Sequence, residues 1–146
     1  MPEVRGSLDS LAGVLELTRQ TWAQMVGHAY DGYPDEACGL LAGPVGIARV
    51  TAFYPCPNAA ASSKVYAIDY ADIEAASDDA ESKGMDLKGT MHSHTHTDAY
   101  PSPTDVQMAD PVWCYVIVSL RQEAPVLRAY RIAGDQILEQ VVSVLD

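Results

Sequence analysis

The chain has 146 residues, close to the ~150 residues of an average domain, so its length predicts a single domain. Apolar residues make up 48% and charged residues 20% of the composition, as in ordinary globular proteins and unlike disordered or fibrous chains. Twenty acidic residues against nine basic ones leave a net charge of −11. This charge disfavours nucleic acid and anionic membrane surfaces as partners.

The first predicted elements are a strand and a helix behind a leader. Residues 1–13 are small and polar without a period, so we expect a flexible leader there and the domain itself at 14–146. Leu15 and Leu17 alternate with polar residues, which indicates a short strand, and Thr18 is placed to cap the helix that follows. The apolar face of this helix consists of Trp22, Met25, Val26 and Ala29.

Strands and helices alternate along the rest of the chain. The first helix is expected to end at the turn 33–35, and residues 55–64 are predicted as an irregular loop of small residues. A second helix is expected to begin with the side chain of Asp69 as its cap and to end at Gly84, and a short third one lies at 102–109. Predicted strands lie at 37–42, 47–54, 65–68, 87–94, 113–120, 126–132 and 137–144. This order predicts an α/β layered fold with a mixed β-sheet flanked by helices.

Cysteine usage and apolar runs bear on the compartment. Cys38, Cys56 and Cys114 are widely separated and odd in number, so we predict buried free thiols. The longest apolar run, 112–118, is far shorter than the ~20 residues needed to cross a bilayer. The N-terminal residues lack a basic start followed by an apolar stretch, so neither a signal peptide nor a transit peptide is predicted and the expected compartment is the cytoplasm.

Three of the four histidines fall within one pentapeptide, HSHTH at residues 92–96. On a strand, side chains two residues apart point to the same face, so His92 and His94 can both bind one metal ion. Ser102 and Asp105 follow, three residues apart, on the same side of a helical first turn. Asp105 can therefore supply a third ligand, a carboxylate.

The segment 102–105 also has a purely structural interpretation. A serine at the N-cap, a proline at the first helical position and an acidic residue at the third make a good helix start without any metal. The two interpretations are compatible, because a capped first turn holds Asp105 and the Ser102 hydroxyl in fixed positions. On its own this pattern favours capping, but its distance from the histidine pair favours a metal site.

The pattern His92-x-His94-x7-Ser102-x2-Asp105 resembles the JAMM motif of the MPN+ zinc metalloproteases at every position. This family also carries an upstream glutamate, and residues 33–43 (YPDEACGLLAG) are similar to the segment that contains it, with Glu36 at the matching position. The similarity runs from about residue 15 to residue 144. It implies a single-domain MPN fold, which is cytidine-deaminase-like.

Other assignments of the histidines fit worse. If His94 and His96 were the ligand pair, Thr104 and Gln107 would stand where the serine and the aspartate belong. Metallo-β-lactamase and amidohydrolase patterns need more histidines than this chain has. A cupin needs a glutamate shortly after the pair and another histidine later, whereas the only histidine outside the cluster, His28, lies upstream. We therefore assign His92 and His94 as the pair.

The resemblance implies one zinc ion per chain, held by His92, His94 and Asp105, with water at the remaining tetrahedral position. Zinc lowers the pKa of such a water from ~15.7 towards ~7. As in the family, Glu36 would act as general base and then as general acid. The Ser102 hydroxyl would donate a hydrogen bond to the developing oxyanion.

Five further polar residues are expected to have lesser roles. Ser93 faces away from the ligands on the strand and is expected to form a supporting hydrogen bond rather than to act as a nucleophile. Cys38 lies in an apolar run and is expected to be an inert thiol. His96 and Asp98 are expected to belong to a solvated loop beside the site, with substrate contact or a secondary ligand role as the alternative. His28 is expected to have a packing or surface role.

Among MPN+ proteins, this compact form is similar to the CysO-cysteine peptidase group. The similarity implies cleavage of the amide bond after the C-terminal Gly-Gly of a small ubiquitin-like sulfur-carrier protein, with release of an amino acid such as cysteine, and hence a link to cysteine biosynthesis. The extended carrier tail could pair with an exposed strand edge, with residues 57–64 as one wall of the groove. The alternatives are a non-catalytic carrier-binding or scaffold module of MPN type and a structural zinc protein. The sequence leaves the carrier, the metal and a monomeric or homodimeric state open.

Overall fold

The computed structural model describes residues 13–146, so the predicted leader, except for Gly13, lies outside the described residues. Within this range the helices and strands follow one another as β1 (Val14–Thr18), α1 (Arg19–Gly32), β2 (Cys38–Pro44), β3 (Arg49–Val50), β4 (Ala52–Cys56), α2 (Tyr70–Ser82), β5 (Met85–His94), α3 (Pro103–Met108), β6 (Cys114–Ser119), β7 (Val126–Ala133) and β8 (Gln136–Leu145). None of these helices combines the length and the apolar character needed to cross a membrane.

The strands form one mixed sheet in the order β3-β1-β8-β7-β6-β5-β2-β4. Parallel pairs join β1 to β3, β1 to β8 and β5 to β6, and the other neighbours are antiparallel. Strand β8 has two partners, because residues 136–140 pair with β7 and residues 141–145 pair with β1. This architecture confirms the predicted α/β fold with a mixed sheet.

Helices cover both faces of the sheet around β2, β5 and β6. Successive residues of β2 face opposite sides, so Leu41 packs in one cluster with Met25 and Ala29 of α1, whereas Leu40 packs in another with Ala76 of α2. Strands covered on both faces carry continuous apolar runs, as β2 and β6 do. Strand β5, which lies between β2 and β6, is therefore held on both edges and both faces.

The helix starts were predicted with mixed success. Thr18 caps α1 as expected, since its Oγ1 accepts a hydrogen bond from the Thr21 amide at 3.2 Å. Asp69 does precede α2, but in the described structure its side chain makes no capping hydrogen bond, so that prediction was wrong. The Asp69 backbone carbonyl accepts from the amides of Asp72 and Ile73 instead.

Two strand predictions were also wrong. The single strand expected at 47–54 is divided in two, because β3 pairs with β1 whereas β4 pairs with β2. The strand expected at 65–68 joins no β-ladder of the described sheet. Its backbone bonds locally instead, because the Ala67 amide donates to the Asn58 side chain and the Ala67 carbonyl accepts from the Ala59 amide.

Candidate metal centre

Three potential ligand atoms meet where β5 ends and α3 begins. The Nε2 atom of His92 lies 3.1 Å from Nε2 of His94 and 3.1 Å from Oδ2 of Asp105. The Nε2 atom of His94 lies 3.2 Å from the same Asp105 oxygen. Both histidines are buried, and Asp105 is half-buried. The structure therefore brings together the three residues that the sequence suggested as ligands.

The start of α3 fixes the Asp105 carboxylate. Ser102 Oγ accepts from the Asp105 amide at 3.0 Å, and Asp105 Oδ2 accepts from the Ser102 amide at 2.9 Å, which is a reciprocal capping box. Because the Ser102 oxygen is the acceptor in this pair, its hydroxyl proton remains able to donate elsewhere. Although burial opposes it, hydrogen bonds from His92 and His94 hold the pKa of the Asp105 carboxyl far below its ordinary value, so it is ionised.

The two histidines are oriented in different ways. His94 donates from Nδ1 to the Asp98 carbonyl, 2.8 Å away, which leaves Nε2 to bind a metal once it loses the proton that it donates to Asp105. The His92 ring is stacked on Tyr66, with ring centroids 4.3 Å apart and planes inclined by 18°. Its Nδ1 has no hydrogen-bond partner among the described residues. Burial lowers the pKa of His92, which favours the neutral form that binds metals.

Glu36, in the loop between α1 and β2, is only 5% exposed. Its amide donates to the Ser62 carbonyl at 2.8 Å, and its carbonyl accepts from Asn58 Nδ2 at 2.9 Å. The next residue, Ala37, exchanges two hydrogen bonds with Ser93 of β5, from Ala37 N to Ser93 Oγ at 2.8 Å and from Ser93 N to Ala37 O at 2.9 Å. The loop is therefore tied to β5 at the residue between the two histidines.

The Glu36 carboxyl is electrostatically coupled to the ligand cluster. Burial raises its pKa to about 7, which nearby positive charge at His94 opposes and negative charge at Asp105 reinforces. Its Oε1 atom is buried and finds no hydrogen-bond partner within residues 13–146. A carboxyl with a pKa near neutrality can exchange a proton under ordinary conditions.

His28, His96, Asp98 and the cysteines lie outside the ligand cluster. His28 donates from Nε2 to the Cys38 carbonyl, 2.9 Å away, and packs edge-on against Phe53. His96 and Asp98 are exposed, and Asp98 pairs with Arg121. All three cysteines are buried and free, as expected, and burial raises the pKa of the Cys38 thiol to about 12. At that pKa Cys38 is no thiolate nucleophile.

An apolar cleft of about 370 Å³ lies beside Asp105. One wall is the segment 65–68 and the other is formed by α3 and the residues that precede and begin β6. Its main lining residues are Tyr66, Ile68, Ile73, Met108, Trp113 and Tyr115.

This cleft, the stacking of Tyr66 on His92 and the contacts of Asn58 were not predicted from the sequence. The available signal for Asn58 was its place in a loop of small residues, since an Asn side chain in a turn commonly bonds to nearby backbone groups.

The donor set fits a zinc-type ion. Two imidazoles and one carboxylate are a common ligand set of catalytic zinc, which keeps one position open. Tetrahedral zinc with bonds of ~2.0–2.1 Å places its ligand atoms ~3.3 Å apart, close to the separations of 3.1 to 3.2 Å found here. Glu36 adds a buried carboxyl that interacts electrostatically with His94 and Asp105 and whose Oε1 has no partner among the described residues.

The fold and the cluster together define a JAB-type domain, and the comparison of sequences agrees. The family described as prokaryotic homologs of the JAB domain matches residues 18–133, so the chain belongs to this family, within the JAMM/MPN+ group. It is 41% identical over 127 residues to the CysO-cysteine peptidase of Mycobacterium tuberculosis, covering 84% of this chain and 85% of that protein. It is 34% identical over 136 residues to a desampylase of Haloferax volcanii, covering 89% and 96%.

A solved structure extends this similarity to three dimensions. The solution structure of a protein from Desulfitobacterium hafniense superposes with a TM-score of 0.83 at 32% identity, over 90% of this chain and 93% of that one. The expected family membership and fold are thereby confirmed.

Proposed function

We propose that the protein is a zinc-dependent peptidase of the JAMM type. Its substrate would be the amide bond after the C-terminal Gly-Gly of a small ubiquitin-like sulfur-carrier protein, and its product an amino acid such as cysteine. The observation that carries this proposal is the convergence of His92, His94 and Asp105, whose ligand atoms lie 3.1 to 3.2 Å apart. The buried Glu36 carboxyl, which interacts electrostatically with His94 and Asp105, supports it. The names of two relatives, a CysO-cysteine peptidase and a desampylase, support a substrate of this kind.

Each site residue has a defined task in this proposal. The ion, when bound to His92, His94 and Asp105, supplies positive charge that acidifies water and polarises the scissile carbonyl. Glu36 takes the proton from the attacking water at its carboxylate and then transfers it to the nitrogen of the leaving amine. The Ser102 hydroxyl, whose proton is not used in the capping box, donates to the oxygen that becomes negative.

The apolar cleft supports a substrate that enters as an extended chain. A flexible carrier tail would lie between the segment 65–68 and α3. The expected wall at 57–64 is replaced by segment 65–68, since no residue of 57–64 lines the cleft. Segment 65–68 belongs to no ladder of the described sheet. The backbone groups of Val65 and Ala67 are bonded to Asn58 and Ala59, so a tail would pair with the opposite edge, at Tyr66 and Ile68. We also propose the cytoplasm, where such carriers would be met, as the compartment.

The alternative is a carrier-binding scaffold without turnover. The buried Glu36 carboxyl argues against this alternative. Its Oε1 has no partner in the described part of the chain, so its burial costs free energy, and a scaffold would not need such a group. A structural zinc protein is a second alternative, and in that case removal of the metal would unfold the chain rather than merely inactivate it.

Mass spectrometry of candidate substrates tests the proposal. The zinc-loaded protein is incubated with small carrier proteins of the same organism, each bearing one C-terminal amino acid, and we expect one carrier to lose the mass of that residue. The Glu36→Gln variant should keep its zinc but cleave ~10²–10⁴-fold more slowly. Cleavage at the wild-type rate by this variant would reject Glu36 as the base. A zinc-loaded wild-type protein that binds a carrier without cleaving it would favour the scaffold.

A further inference from the structure

The side chain of Asn58 joins two separate parts of the site. Its Nδ2 donates to the Glu36 carbonyl at 2.9 Å and to the Val65 carbonyl at 3.0 Å. Its Oδ1 accepts from the amides of Ala60 and Ala67, each at 3.0 Å. An amide side chain has two N–H groups and two acceptor lone pairs, so these four bonds use its full capacity.

The Glu36 backbone is attached to the turn that follows Asn58 through both of its polar groups. Its carbonyl accepts from Asn58, and its amide donates to the Ser62 carbonyl at 2.8 Å. A longer contact of 3.4 Å from Asn58 Nδ2 to the Ser62 carbonyl links these two partners to each other. The residue that we propose as the base is therefore held by this turn on one side and, through Ala37, by Ser93 of β5 on the other.

This turn has little apolar packing of its own. Residues 59–61 and 63–65 are exposed, and Ser62 and Asn58 are half-buried. A surface segment without buried apolar side chains is kept in place mainly by hydrogen bonds, and its local opening costs little free energy. The Asn58 amide therefore contributes a large share of the support for Glu36 from this side.

We propose that Asn58 is a positioning residue for Glu36, whose side-chain amide fastens the backbone of the base to the cleft segment at Val65 and Ala67. The inference rests on the proposed function of Glu36 but adds a residue to it. Asn58 forms no hydrogen bond with His92, His94 or Asp105. Its loss should therefore slow proton transfer and leave the metal ligands in place.

Kinetics of Asn58→Ala give the first test. We expect kcat to fall ~10–100-fold, the size of effect that a displacement of about 1 Å has on a reacting group. Zinc affinity, measured by competition with a chelating dye, should stay within ~3-fold of wild type, because no ligand contact is removed. Gln122→Ala is the matched control, since it removes an exposed loop amide that forms no side-chain hydrogen bond with described residues.

Amide hydrogen exchange followed by NMR gives a second test that does not depend on activity. In Asn58→Ala the amides of Glu36 and Ala67 should exchange at least ~10-fold faster. The Ala67 amide loses its acceptor, and the Glu36 amide loses the turn that holds its acceptor, the Ser62 carbonyl, in place. The Ala37 amide, which donates to Ser93, should change little. Asn58→Asp keeps the acceptor for the Ala67 amide but cannot donate to the Glu36 carbonyl. In this variant the Ala67 amide should therefore exchange as slowly as in the wild type, the Glu36 amide should exchange faster, and kcat should be reduced. It also serves if Asn58→Ala does not fold.

The two tests separate the inference from the proposed function. If kcat or the exchange rate of the Glu36 amide is unchanged in both Asn58 variants, the inference is overturned. Cleavage of a carrier by the wild-type protein would still support the proposed function in that case. If wild-type protein cleaves no carrier, the proposed function fails, and the exchange of the Glu36 amide alone decides whether Asn58 holds this residue.

Discussion

The site is built from two regions that are stabilised in different ways. In the ligand corner, residues 92–105, the supporting hydrogen bonds join residues that are close in sequence, such as His94 with Asp98 and Ser102 with Asp105. In the Asn58 segment, residues 57–69, a surface loop supports Glu36 across 22 positions of the chain. The comparison shows that metal binding and proton transfer depend on different parts of the fold, so they should be separable by mutation.

Removal of Asp105 should have the largest effect, because it damages the ligand corner twice. Asp105→Ala removes a ligand and the acceptor of the Ser102 amide, so zinc affinity should fall by more than the ~100-fold that a lost supporting contact costs. Cleavage should fall to background. Asp105→Asn is the control, because it keeps an oxygen for the cap and removes the charge. If both variants hold zinc like the wild type, the ligand assignment is wrong.

The Ser102 hydroxyl should have the next largest effect, and here capping and catalysis can be separated. We expect both Ser102→Ala and Ser102→Gly to lower kcat by ~10²–10³-fold, because each lacks the donor to the oxyanion. Their free energies of unfolding should differ, since an N-cap alanine costs ~0.5–2 kcal/mol and a glycine only a few tenths. Chemical denaturation and kinetics measure the two effects. A Ser102→Gly variant with wild-type kcat would leave Ser102 only its capping role.

Tyr66 connects the two regions, and its loss should have a smaller effect. Tyr66→Leu removes the ring stacked on His92, so zinc affinity should fall by ~10-fold, at the low end for contacts that orient a ligand. Tyr66→Phe keeps the ring and loses only the hydroxyl contact to Thr90, so it should bind zinc almost as wild type does. Equal affinities in all three proteins would show that the ring does not orient His92.

The smallest expected effect is on stability and concerns Glu36 in the metal-free protein. Its pKa is raised from 4.5 to about 7 on folding, so its contribution to stability is fully present below the unfolded value and is lost as the pH rises through about 7. Glu36→Gln cannot ionise, so at about pH 9 it should unfold with a free energy on the order of 1–2 kcal/mol higher than wild type, and at about pH 4 the difference should vanish. Urea denaturation at the two pH values checks this, and a pH-independent difference would contradict it.

The ligand corner could be predicted from the sequence because its geometry is local. Alternation along a strand places His92 and His94 on one face, and the spacing of a capping box places Asp105 beside Ser102. Glu36 could not be placed by periodicity, because its position depends on bonds to Ser62 and to the β5 strand. Only the similarity of its surrounding segment to a known family indicated it.

The two incorrect strand predictions share one physical cause, which is competition between alternative hydrogen-bond partners for the same stretch of backbone. Residues 65–68 have the composition of a strand, but a single side chain, Asn58, takes up backbone groups that a neighbouring strand would need. The expected strand at 47–54 changes partner from β1 to β2 around Thr51, whose amide donates to the Ala42 carbonyl. Neither outcome is visible in hydrophobic periodicity.

The divided pairing of β8 has a consequence for synthesis on the ribosome. Of the described strands β1 emerges first, and until residues 141–145 appear its one described partner is the two-residue strand β3. The ligand corner is complete much earlier, when Asp105 has been made. The nascent chain thus carries all three proposed metal ligands before its sheet is complete, and premature termination within β8 would release a protein with a full set of ligands and a first strand paired only with β3.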